Sequence, residues 1–211
     1  MRNPKSITTL LHGFNIVIVS YLMLFITSMV SVFLSQDILL LHEIENKYIV
    51  LYTQIALPML LSLILLPVLS ETILFKNNLK SLGFSFLQES KVFSLYIYII
   101  FSCIYIILIY TYEYDTSDIL LLSIYVFIQC FGEEILFRSV IQRRLHLIMD
   151  SKWAVLIGTI IFVFLFHEDS IVDNLLFRTP IAILLSFTYY KTKSIYPTTV
   201  IHFVYNMYYS I

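Results

Sequence analysis

The chain has 211 residues, of which 59% are hydrophobic and only 13% charged, with four glycines and a net charge of -1. With a mean hydropathy of +0.87, this lies outside the composition of a soluble globular domain and points to a protein dissolved in a bilayer. The near-neutral charge and the lack of a long basic stretch exclude a nucleic-acid partner, because nothing is present to neutralise a run of phosphates.

Apolar runs bounded by charge clusters predict an all-α polytopic bundle of about seven transmembrane helices. They fall at 13–35, 48–70, 92–112, 119–142, 153–168, 174–190 and 195–210. The first follows a short basic start, "MRNPKS", and has no small-residue cleavage site, so it reads as a span that stays attached. The sixth is short and contains Arg178 and Pro180, which leaves open a full span or a re-entrant segment. Cys103 and Cys130 both sit in apolar runs and read as small core hydrophobes, not as a disulfide. No internal repeat or linker interrupts the pattern. A single membrane-embedded domain is expected, with three N-terminal spans in 1–117 and the polar motifs in 118–211.

Basic residues fix an expected orientation in the cell membrane. With the N-terminus cytoplasmic, Arg2, Lys5, Lys76, Lys80, Lys91, Arg143, Arg144, Lys152, Lys191 and Lys193 fall inside, and only Lys47 and Arg178 fall outside. The acidic residues Asp37, Glu43, Glu45, Glu113, Asp115, Asp118, Glu168, Asp169 and Asp173 fall in outer loops. Seven spans then put the C-terminus outside.

The fourth span carries "FGEEILFRSV" near mid-membrane, where an isolated ionised group costs roughly 2.5 to 3.5 kcal/mol. Glu134 and Arg138 are four residues apart on one face with Cys130 and Gln142, so an ion pair offsets part of that cost. Glu133 lies about 100° round the helix, on a line with Gln129 and Phe137, and lacks that partner. In the seventh span Thr198, His202, Asn206 and Ser210 are spaced by four and make one polar stripe. The fifth span, "WAVLIGTIIFVFLFHEDS", contributes His167 on the line of Thr159 and Val163.

These residue types suit hydrolysis of a peptide bond without a covalent nucleophile. A carboxylate with no ion-pair partner takes a proton from water and returns it to the leaving amine, and a neutral histidine orients the same water. A second histidine and an asparagine amide can donate to the oxyanion formed on the carbonyl. Ser139 has no evident base and Cys130 lies two turns from Arg138, which argues against either as nucleophile. The zinc-protease pattern HExxH is absent, since His167-Glu168 is not followed by a second histidine at the required spacing. Glu133, His167 and His202 can nevertheless ligate a divalent metal such as zinc, and no cofactor is firmly expected.

"EEILFR" resembles the EExxxR signature, and "HFVYN" the HxxxN signature, of the CAAX-protease and bacteriocin-processing (CPBP, or Abi) intramembrane endopeptidases. "VFLFH", ending in His167, is similar to that family's FxxxH motif, with Val163 where the family has Phe. The sixth helix carries "PIAILLSFTYY" in place of the family's small residues. The resemblance covers 118–211, a four-helix core, and the first three spans share only hydrophobicity. It implies a water activated by Glu133 and His167, an oxyanion held by His202 and Asn206, and Glu134 and Arg138 as supporting partners. It further implies a substrate that is a membrane-associated peptide or a lipidated protein tail. A rival reading is a non-enzymatic immunity or scaffold protein of the same family, and a proton-coupled transporter is a third.

Overall fold

The computed structural model describes residues 4–42, 51–111, 116–165 and 170–210. His167 lies outside the described residues, as do Arg2, Glu43, Glu45, Lys47, Glu113, Asp115, Glu168 and Asp169. The described chain is all helical and winds into seven helices: α1 (Pro4–His42), α2 (51–74), α3 (Lys91–Thr111), α4 (116–148), α5 (Ser151–Leu165), α6 (Ile171–Thr192) and α7 (Ile195–Ser210). Five of them, α1, α2, α3, α4 and α6, are long and apolar enough to cross a bilayer. The shorter α5 and α7 have 15 and 16 residues.

Each helix follows from its apolar run, and local chemistry sets its irregularities. In α2 the buried prolines Pro58 and Pro67 lack an N–H. The helix stays continuous by opening into π-helical turns on either side of them, where i→i+5 bonds re-pair the freed carbonyls. The sixth helix is also continuous, and its Ile171–Thr192 stretch is long and apolar enough for a full span. Pro180 sits in the first turn of its regular α stretch, and the Thr179 hydroxyl donates to the Asn174 carbonyl at 2.8 Å.

The structure corrects the end of the fourth span. α4 runs past the expected stop at residue 142 to Ile148. The reason is that Arg143, partly exposed, and Arg144, buried, both reach the Glu71 carboxylate at the end of α2, Arg143 at 2.9 Å from Oε2 and Arg144 through Nη1 to Oε1. Glu71 and Arg144 are each 1% exposed. A paired charge tolerates burial where a lone one would not.

α4 is the hub. It packs against α1, α2, α5, α6 and α7, while α7 also packs on α3 and α6. Residues 132–142 of α4 are buried throughout, and Leu136, Phe137, Val140 and Ile141 meet Val17, Leu63, Val163 and Ala182 in the main core. Outward, α1 shows Ile18, Leu22 and Phe25, and α3 shows Tyr96, Ile99 and Ile106, the apolar exterior of a multi-pass membrane protein. Cys103 and Cys130 are free thiols, the first exposed and the second buried.

Loop 75–90 folds back under the bundle at the end shared by the C-termini of α2, α4 and α6. Leu82 is buried there, and the Ser139 hydroxyl donates to its carbonyl. Gly83, at φ 88°, lies so close to the α6–α7 junction that an added Cβ would meet the Lys193 carbonyl at 3.2 Å. A glycine fits because it takes positive φ freely and lacks that Cβ.

Candidate active site

The fourth helix delivers two adjacent carboxylates into different surroundings. Glu134 Oε2 accepts from Arg138 Nε at 2.9 Å, and both side chains are fully buried. Arg138 Nη1 continues the chain to Gln142 Oε1 at 3.2 Å and to the Ser186 hydroxyl on α6 at 2.8 Å. Gln142 Nε2 donates to the Ser186 carbonyl at 2.8 Å, and Thr159 of α5 lies 3.1 Å from the Ser186 hydroxyl. The guanidinium also sits over the Phe162 ring, 5.0 Å from its centre. A charge this deep is tolerable because the Glu134 carboxylate and hydrogen bonds on α4 and α6 hold its Nε and Nη1, although Nη2 is buried without a hydrogen-bond partner among the described residues.

Glu133 points away from this network. Gln129 Nε2 donates to its Oε1 at 3.1 Å, and its Oε2 is buried with no hydrogen-bond partner among the described residues. Helix α7 brings His202 between the two carboxylates. Nδ1 is 3.0 Å from Glu134 Oε1 and Nε2 is 3.8 Å from Glu133 Oε2. The Phe162 ring closes on the imidazole edge to face, with centroids 5.7 Å apart and planes at 77°. Contact with Glu134 fixes which ring nitrogen faces Glu133.

One turn further along α7, Asn206 donates through Nδ2 to Cys130 Sγ at 3.3 Å. Its side chain, with those of Glu133, His202 and Phe162, lines a cavity of about 670 Å³. Tyr21 of α1 and Leu63 of α2 close one side of it, and Arg178 of α6 and Tyr205 of α7 the other. The sequence placed Glu133, Glu134 and Arg138 on one helix and His202 and Asn206 on another, and the packing of α7 on α4 brings His202 to both carboxylates and Asn206 to Cys130. Of the polar stripe on α7, Thr198 is turned to the Ile195 carbonyl and lies away from the cavity.

Three participants were missed in the sequence. Ser186 joins α4 to α6, Phe162 shields His202, and Arg178, read as a charge on the outer side of the sixth span, lines the cavity. A weak signal existed for Phe162, which stands one residue before the position where the motif expects its aromatic. Among the described residues no three His, Cys, Asp or Glu side chains form a metal-holding group. The third member of the expected ligand set, His167, is outside them.

Residues 115–208 match a family model described as Rce1-like, type II CAAX prenyl endopeptidase Rce1-like. That segment takes in α4, α5, α6 and nearly all of α7, including every cavity-lining residue of α4, α5 and α6. The comparisons with curated proteins and with solved structures each give no match.

Proposed function

We propose that the protein, whose residues 115–208 match the Rce1-like type II CAAX prenyl endopeptidase model, is an intramembrane endopeptidase using a glutamate-activated water. Glu133 takes a proton from the water, whose oxygen adds to the scissile carbonyl carbon. His202, its Nδ1 held by Glu134, donates from a protonated Nε2 to the resulting oxyanion, with the Asn206 amide as second donor. Glu133 then passes its proton to the leaving amine as the carbon–nitrogen bond breaks. His167 is the second group on the water in this scheme. Glu134 and Arg138 hold the histidine and the helix in register. The substrate is a peptide bond in a membrane-associated peptide or protein tail, and the N-terminus is cytoplasmic.

The observation that carries the reading is the contrast between neighbours. Glu134 is saturated by Arg138 and His202, whereas Glu133 has an oxygen without a hydrogen bond beside an imidazole and a cavity. What sets Glu133 apart from other buried groups with an unsatisfied atom, such as Arg138 and Arg144, is that its free oxygen stands 3.8 Å from His202 Nε2 on the wall of the cavity. Glu133→Ala should lower processing by about 10²- to 10⁴-fold, the usual contribution of a general base, with membrane insertion unchanged. Peptides from cells carrying the wild-type and variant proteins, compared by mass spectrometry, provide the test. Identical peptide profiles would reject the mechanism.

A further inference from the structure

The two ends of the bundle are unlike, and their difference assigns the side from which substrate arrives. At one end, loop 75–90 closes the core. Ile195 N donates to the Gly83 carbonyl at 3.1 Å, the Ser194 hydroxyl to the Ser85 carbonyl at 2.6 Å, and Glu89 N to the Thr192 carbonyl at 3.0 Å. Phe86 stacks on Tyr196 with centroids 4.0 Å apart, and Phe84 packs edge-on against Phe131 and Tyr196. Leu82 fills the space beneath. Polar and aromatic contacts together make this a sealed floor under Glu133 and His202.

The cavity extends the other way. Its lining passes from Glu133 and His202 to Asp173 in the first turn of α6 and to Tyr209 and Ser210 in the last turn of α7. Asp173, Tyr209 and Ser210 are all exposed. The sealed end carries Lys76, Lys80, Lys91, Lys152, Lys191 and Lys193, whereas the only basic residue among those lining the cavity toward its mouth is Arg178. Cytoplasmic ends of membrane proteins carry the excess of lysine and arginine.

We infer that the cavity is loaded from the extracytoplasmic side, and that its substrate is a polypeptide presenting its scissile bond at the outer leaflet. This class covers an exported peptide or the outward end of a membrane-inserted one, and excludes a tail that reaches the membrane from the cytoplasm. The inference rests on the endopeptidase reading for the substrate, and on the described geometry and charge for the side.

Two measurements test these halves apart. In a Cys103→Ala background, with Cys130 buried and silent, Ser210→Cys and Asp173→Cys should react in intact cells with a membrane-impermeant sulfonate-bearing methanethiosulfonate. Lys80→Cys and Lys152→Cys should react only after permeabilisation. Labelling in the reverse pattern overturns the assignment of side. In the second measurement, peptides whose abundance depends on Glu133 should map to extracytoplasmic segments and appear outside the cytoplasm. Glu133-dependent fragments of cytoplasmic tails overturn the substrate class. If no peptide depends on Glu133 while the labelling is as expected, the endopeptidase reading falls and takes the substrate class with it, and the outward mouth stands.

Discussion

Two glutamates one residue apart face different tasks because a helix turns about 100° per residue. Glu134 meets Arg138 and His202, and its removal leaves a guanidinium buried without a counter-charge. Glu134→Gln should therefore destabilise the fold by about 3–5 kcal/mol, the cost of breaking a buried pair from one side. Thermal unfolding in detergent reads this directly. Glu133→Gln, whose carboxylate lacks an ion pair with Arg138, should unfold close to the wild-type temperature in the same assay. Equal losses in the two variants would show that the carboxylates share one structural role. The i,i+4 pair of Glu134 and Arg138 was legible in the sequence because both residues lie on one helix. The contact between Glu134 and His202 was not, since it spans 68 positions and depends on how α7 is seated against α4.

Helix positions were legible for the same reason: a bilayer imposes a length and an apolar composition on anything that crosses it. Helix ends were less so. A charge cluster normally marks water, but Arg143 and Arg144 found a buried carboxylate instead, so α4 continues where hydropathy placed a stop. The distances between helices could not be read from composition at all. At Gly132, beside Glu133, an added Cβ would stand 2.7 Å from the Leu63 Cβ of α2. That atom is anchored to its backbone and cannot swing away, so Gly132→Ala must push α2 from α4. A loss of about 1–3 kcal/mol is expected from overpacking. Because the displaced helix wall borders Glu133, activity should fall with it, a combination that unfolding and peptide-processing assays on the same variant will resolve.

For the whole molecule, the polar groups divide into a floor and a chamber. At the floor Glu71 accepts from Arg143, Arg144 and Asn77, the last at 2.7 Å, and ties the end of α2 to α4 and to the start of loop 75–90. No sequence pattern advertised it, since Glu71 lies 72 residues from Arg143 and follows an apolar run with nothing to mark it as buried. Glu71→Ala should cost about 3–5 kcal/mol by stranding Arg144, and should expose the loop to protease before the helices melt. Limited proteolysis followed over temperature distinguishes this from uniform destabilisation, which would release loop and helix fragments together.

The closed floor also bears on kinetics. If substrate enters only past Asp173, Tyr209 and Ser210, as inferred above, each severed fragment retreats by the route along which its parent came, so product and fresh substrate compete for the same passage. Turnover should then slow as fragments accumulate, each encounter should end in a single cut followed by release, and the length of chain beyond the scissile bond should be bounded by the depth of the chamber.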